Sequence, residues 1–207
     1  MNLDKPRSES ICAEWEKLHG GQLPAPCALS DGWVSIPYVG RYQLQSTRDR
    51  DNASAVLELL SQRSDPFGRD SLPGHITASA FIINPRRDAV LLTHHAKLDC
   101  WLPLGGHCDG IRDPRFSALR ECYEESGLKC IVGLQQDLFD IDIHDIPASG
   151  SMPQHTHYDL RFLLQADDSA PLKLTSESKA LHWVGLEQLP SYTDRPSVLV
   201  LTRKLSI

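Results

Sequence analysis

Three carboxylates at helical spacing, Glu121, Glu124 and Glu125, are the residues of this chain best placed to do chemistry. They lie in Arg120-Glu-Cys-Tyr-Glu-Glu-Ser-Gly127, downstream of a glycine pair, Gly105-Gly106, and a short acidic loop. At 100° per residue the three fall within an arc of about 100°. Ala118, Leu119 and Cys122 occupy the adjoining arc, so one flank can pack on a sheet while the next presents carboxylates. Glu121 and Glu125 repel one another at i, i+4, at a cost of about 0.2–0.5 kcal/mol. Arg120, i, i+4 to Glu124, relieves only part of this. A solvated acidic face is the usual explanation of a charge run; a cation in front of the helix is the other. Clustered carboxylate oxygens suit Mg²⁺ or Mn²⁺ rather than Zn²⁺, and such an ion beside a glycine loop points to phosphate chemistry.

The elements that would position this cluster can be read around it. Asp113-Pro114 is a helix start, with Asp as N-cap and Pro at the first helical position, and Gly127 is placed to end the helix in a left-handed conformation. ITASAFIIN (76–84) and AVLLTHH (89–95) read as a hairpin around Pro85-Arg-Arg-Asp88. Trp101-Leu-Pro-Leu104 leads into the glycine pair. Lys129–Leu134, Leu138–Ile143, residues 155–166 and residues 180–186 read as further strands, and Pro196 opens a terminal helix carrying Val198, Leu201 and Leu205. Mixed strands with one central and one terminal helix imply an α/β (α+β) sandwich.

Upstream, Ile11, Trp15 and Leu18 follow Ser8 and Ser10 at helical spacing, up to Gly20-Gly21. Pro24 and Pro26 mark a connector, residues 31–45 suggest a strand or hairpin, and Val56, Leu59 and Leu60 suggest a helix over roughly 53–63. Pro66 and Pro73-Gly74 punctuate a loop.

The 207 residues suffice for one full-sized domain with appendages. A hydrophobic content of 41% with 23% charged residues is that of an ordinary folded chain. A net charge of −6 argues against binding to a nucleic acid duplex. The polar start MNLDKPRSES carries no apolar segment of a secretory signal, and no apolar run reaches bilayer length. Six cysteines without a C-x-x-C pair are then expected as free thiols, and cytoplasmic residence is the default expectation.

Histidines lie on the segments before and after the glutamate helix. His155, His157 and Asp159 alternate along one strand and so share a face; that face either lines the cleft or, more simply, is a solvent-facing polar surface. His94 and His95 point to opposite faces.

Residues 106–128 resemble the Nudix box, G-x5-E-x7-R-E-U-x-E-E-x-G-U, in which U is aliphatic. Gly106, Arg120, Glu121, Glu124, Glu125, Gly127 and Leu128 fill its positions, and Cys122 stands in for the first aliphatic residue. Looser likeness, including Trp101-Leu-Pro-Leu-Gly-Gly and Leu181-His-Trp-Val, extends over roughly 75–190. One position departs: Arg112 stands where the box has Glu, with Asp113 and Asp109 as candidate substitutes.

The resemblance implies a Nudix-type α/β/α sandwich with a mixed sheet over 75–207, preceded by a partly helical N-terminal extension, 1–74. It implies Mg²⁺-dependent (or Mn²⁺-dependent) hydrolysis of a phosphoanhydride in a nucleoside diphosphate linked to another moiety. Glu121, Glu124, Glu125 and the Gly105 carbonyl would hold metal. Glu121, Arg120 and Glu124 would be catalytic, Glu121 as base and Arg120 orienting the glutamates. Apart from the resemblance, their places along the chain make Gly106, His107, His157 and Asp159 candidates to touch substrate, with a plain loop histidine the alternative for His107. Arg112 favours an alternative, a catalytically weak or inactive Nudix-fold module that binds a nucleotide or regulates. A diphosphate-ester isomerase is a third reading, disfavoured by the nearly complete box. The small-molecule partner is a nucleotide or other diphosphate, no membrane is involved, and the extension could cap the cleft or build a homodimer.

Overall fold

A computed structural model describes residues 39–205 apart from residue 136. The expected helix near residue 11 and most of the expected strand or hairpin over 31–45 lie outside the described residues. Residues 41–45 form a turn and irregular chain rather than a strand, with Tyr42 N–H donating to the Val39 carbonyl at 3.2 Å.

The first element, α1 (Thr47–Gln62), begins six residues before the apolar pattern suggested. The reason is local: the Ser46 hydroxyl accepts from Asp49 N–H at 3.1 Å, so the polar turn TRDRD is already helical. Its buried stripe, Ala53, Val56, Leu59 and Leu60, is the one the periodicity marks.

The sheet is built on β1 (Gly74–Ile83), buried at every position. A strand covered on both faces needs no polar alternation, which is why this segment reads as a continuous apolar run. β2 (Ala89–His95) returns antiparallel to it, followed by β3 (Trp101–Leu102), β4 (Leu104–His107), α2 (Pro114–Ser126), β5 (Ile131–Gly133), β6 (Asp140–Ile146), β7 (His155–Ala166) and β8 (Ser178–Gly185). A 3₁₀ turn (Leu186–Gln188), α3 (Leu189–Tyr192) and α4 (Pro196–Lys204) close the chain. β1 and β7 pair in parallel, and the other pairings are antiparallel.

Both central strands change partner along their length. Ile82 and Ile83 of β1 pair with β2, whereas Thr77 to Ala80 pair with His107 to Leu104 of β4. His155 to Arg161 of β7 pair with β6, and Leu164 to Ala166 with β5. The segment Leu104–His107, which reads as a lead-in to the helix, is thus a strand, and it fixes the glycine pair against β1.

Alternate residues of β1 feed two cores. Ile76, Ala78, Ala80 and Ile82 pack with Val56 and Leu60 of α1 and with Ala118 and Cys122 of α2. Phe81 and Ile83 pack on the other face with Val198 and Leu201 of α4. The result is an α/β/α sandwich around a mixed sheet, as expected. Each fully buried aliphatic or aromatic side chain here contributes about 1.5–3 kcal/mol. Cys108 and Cys122 are buried free thiols, and Cys100 and Cys130 are free as well. Among the described residues, no helix is long and apolar enough to cross a membrane.

A charged network the sequence did not announce ties the two ends of the described chain together. Asp140, fully buried, meets Arg48 of α1 and Lys204 of α4, each at 2.9 Å. Lys204 also reaches Asp49 at 3.0 Å, while Asp142 accepts from Arg48 at 2.7 Å and from Arg161 at 3.2 Å. α1 therefore belongs to the same packed body as the strands.

Candidate active site

Helix α2 carries the three carboxylates, and its ends are set by its own sequence. The Asp113 carboxylate accepts from Phe116 N–H at 3.1 Å, Pro114 opens the first turn, and Gly127 closes the last at φ 66°. Ala118 and Cys122 face the sheet, and the neighbouring arc presents Glu121, Glu124 and Glu125 to a cavity of about 210 Å³. Thr175, Ser176 and Glu177, on the loop before β8, line its other side. Glu177 was not found from the sequence. It has no fixed spacing to the box, and only the fold brings that loop over α2.

The glycine strand lies directly on this helix. Gly105 N–H donates to Glu125 Oε2 at 3.3 Å. Gly105 has φ +155°, and a Cβ there would overlap Ser79 and stand 2.6 Å from the Ala78 carbonyl oxygen. At Gly106 a Cβ would lie 2.9 Å from the Glu121 carboxyl carbon. The absent side chain is what lets the carboxylate approach the strand. Gly106→Ala is therefore expected to leave the fold intact, because a carboxylate can swing aside, while lowering turnover about 10–100-fold through its misplacement. Thermal melting and steady-state kinetics on the same sample check this; unchanged turnover would show that the approach has no part in the reaction.

Arg120 is buried beneath the cluster. Its Nη2 donates to the His107 carbonyl at 2.7 Å and pairs with Glu121. Burial acts to lower its pKa, but Glu121 outweighs this and holds it above the usual arginine value. Burial raises the Glu121 carboxyl, with Arg120 opposing. Glu125 is pushed up to about 8, first by burial and then by the Glu121 charge, with the Gly105 N–H opposing. Without a cation, the site is electrostatically overloaded.

Neither candidate substitute for the missing box acid is available to Arg120 by direct contact. Asp113 is spent as the helix cap, and Asp109 pairs with Arg69. Arg112 itself is exposed in the loop before α2. Arg120 Nε is left buried without a hydrogen-bond partner.

The four residues expected to touch substrate are not gathered at one place. Gly106 faces Glu121, whereas the His107 ring, one residue on, lies with the rings of His75 and His157 at centroid distances of 5.2 and 5.1 Å. Asp159 is buried and fully engaged, accepting from Ser79 Oγ at 2.7 Å, Thr77 Oγ1 at 3.2 Å and Arg161 Nε at 2.8 Å. His155 and Asp159 do share a face of β7, but the face is not the solvent-facing surface expected; both are buried against β1 and β6. Burial, then Arg69, lowers the His107 pKa to about 4, and burial, then the His107 ring, lowers that of His157 to about 2. His94 and His95 do diverge: His94 stacks on Trp101, while His95 Nδ1 accepts from the backbone of Lys97 and Leu98.

Glutamates presented by a capped helix to a glycine strand, inside an α/β/α sandwich, make a site suited to a hard divalent cation. The NUDIX domain family model matches residues 73–204, and the chain belongs to the Nudix family. Among solved structures it is similar to an Ap4A hydrolase from C. elegans, at 21% identity and TM-score 0.51 over 63% of this chain and 94% of that one. It is also similar to a Nudix-family hydrolase from Clostridium perfringens (27% identity, TM-score 0.44, 64% and 96% covered). A third similar structure is the E. coli dihydroneopterin triphosphate pyrophosphohydrolase (15%, TM-score 0.49, 62% and 92%). A comparison with curated protein sequences gave no match.

Proposed function

We propose that this pyrophosphohydrolase cleaves a phosphoanhydride in a nucleoside diphosphate linked to another moiety, using Mg²⁺, with Mn²⁺ as a substitute. The observation that carries the reading is the convergence of Glu121, Glu124, Glu125 and Glu177 on one cavity, with Glu125 held at a pKa of about 8 by burial and its neighbour. Acid side chains crowded this way fit a hard divalent cation with oxygen ligands.

Glu121, Glu124, Glu125 and the Gly105 carbonyl would hold the ion. When bound, it supplies neutralisation of the diphosphate charge. Arg120 pairs with Glu121, and Glu121 would accept the proton of the attacking water. Glu177, on the facing loop and without Arg120 beside it, is a second carboxylate that can take that proton. Glu121→Gln and Glu177→Gln, compared by turnover against pH, separate the two: the base is the one whose loss removes the acidic limb of the profile.

The test is chromatographic detection of the nucleotide products released from a panel of nucleoside triphosphates, dinucleoside polyphosphates and nucleoside diphosphate sugars, with Mg²⁺ and with EDTA. Turnover that requires the metal is expected. Binding across the panel with no turnover would instead support the non-cleaving module that Arg112 favours.

A further inference from the structure

On the other side of β4 from the carboxylates, five histidines gather where β1 and β7 begin. His75 stands opposite His157 in the parallel register, and His144 and His107 flank them from β6 and β4. The His75 ring lies 5.0 Å from His155 and 4.9 Å from His157 between centroids, and His155 and His157 are 5.0 Å apart. No motif of the box requires this grouping, and the four strands that create it, β1, β4, β6 and β7, are drawn from both ends of the domain.

We propose that His75, His155 and His157 form a binding site for a single Zn²⁺-class ion, separate from the carboxylate site. Three features carry this. First, one ligand atom from each residue lies within 4.8 Å of the other two. His155 Nε2 and His157 Nε2 are 3.2 Å apart, which is close to the edge of about 3.3 Å that a tetrahedron with Zn–N bonds of ~2.05 Å demands.

Second, His75 is completely buried, yet neither ring nitrogen has a hydrogen-bond partner. A backbone group of Ser71 lies near it without the geometry of a hydrogen bond. A polar ring buried without partners is destabilising, and a metal bond removes that cost.

Third, the ligand next to it is already oriented. The Pro153 carbonyl accepts from His155 Nδ1 at 2.8 Å. In the neutral ring this leaves Nε2 with its lone pair turned into the cluster. Anchoring of the distal nitrogen by a backbone carbonyl is how ligating histidines are held in place. Two Nε2 atoms facing one another need either a proton or an ion between them. Burial and neighbouring rings keep His75 and His157 neutral, so each can offer a lone pair.

Imidazole ligands select Zn²⁺, Co²⁺, Ni²⁺ or Cu²⁺ over Mg²⁺, so the two sites can be loaded independently. Three protein ligands leave the fourth position to water.

The experiment uses the full chain, stripped with chelator and held in excess Mg²⁺ to occupy the carboxylates, then titrated with Co²⁺. One equivalent giving the intense visible bands of tetrahedral cobalt, and displaced by one equivalent of Zn²⁺, is expected. The bands should persist in Glu124→Gln. In His75→Asn or His157→Asn the affinity should fall by more than the roughly 10–100-fold that losing an outer hydrogen-bond partner costs. Bands lost in Glu124→Gln but kept in the histidine variants would overturn the proposal. X-ray absorption at the zinc edge of the unmodified protein does not depend on any variant folding. A shell of three imidazoles is expected; an all-oxygen shell, or no zinc retained against Mg²⁺, would also overturn it. Hydrolysis by the carboxylate site is a separate measurement, so failure of one reading leaves the other standing.

Discussion

Glu125→Gln is expected to reduce hydrolysis about 10²–10⁴-fold and, at the same time, to stabilise the metal-free protein above neutral pH. The first effect follows from the proposed role of Glu125 as one ligand of the ion, whose charge neutralisation would supply several kcal/mol. The second follows from proton linkage. In the metal-free fold the Glu125 carboxyl has a pKa of about 8, against an ordinary value of 4.5. Between those values the folded state keeps a proton that the unfolded chain releases. Stability is therefore fully present below about pH 4.5, falls as pH rises, and levels off above pH 8.

Glutamine can still accept from Gly105 N–H and has no charge to set against Glu121. At pH 8 in EDTA the variant should be more stable than the parent by about 2–5 kcal/mol, or several degrees in melting temperature. At pH 4.5 the two should melt together. Mg²⁺ should raise the parent's melting temperature at pH 8, and raise that of the variant much less. Melting curves at the two pH values, with and without Mg²⁺, check all of this. A variant less stable than its parent at pH 8 in EDTA would show that Glu125 is not under repulsion. Glu124→Gln should share the loss of activity, and unchanged hydrolysis in both variants would sink the assignment of the glutamates.

The pattern of what was legible follows from range. Helix α2 could be read completely because its determinants are local: the Asp113 cap, Pro114, the apolar spacing and Gly127 all act within one stretch of chain. Most strands could be read for the same reason; β3 and β4, taken as a lead-in to the helix, could not, because their pairing to β2 and β1 is distant in sequence. The network around Asp140 could not. The alternation Asp140, Ile141, Asp142 shows two acids on one face of β6, but their partners Arg48, Arg161 and Lys204 come from α1, β7 and α4. A pattern of period two marks the face and says nothing about which distant cations will cover it.

The histidines show the same limit. The shared face of His155, His157 and Asp159 is a consequence of the pleat, so it could be foreseen. That the face is buried depends on His75 and Ser79 arriving from β1 in parallel, a pairing without a local turn to announce it. Likewise Glu177 joins the glutamates only because β8 pairs with β2 and carries its leading loop over α2.

Arg120→Met should be the most destabilising single change in the box, and the reason is what it leaves behind. Arg120 is 5% exposed and is the cation paired with Glu121. Its loss leaves the mostly buried Glu121 beside Glu125 without its paired cation, and the His107 carbonyl without the donor it has at 2.7 Å. Breaking a buried pair from one side costs about 3–5 kcal/mol, which in a chain of this size lowers the melting temperature by roughly 6–20 °C. Arg120→Lys keeps the charge but only as a point donor, and should recover part of the stability and little of the activity. The decisive comparison is Arg120→Met combined with Glu121→Gln. With both charges gone, no uncompensated ion remains at that position, so the double variant should be more stable than Arg120→Met alone by about 1–3 kcal/mol, while remaining inactive. A structural salt bridge of no further consequence would also give that coupling in stability, so activity separates the two cases: turnover restored along with the fold would mean that Arg120 and Glu121 serve packing only. A double variant no more stable than the single would mean that Glu121 finds another cation when Arg120 is lost, and Arg120 would then not be what holds it.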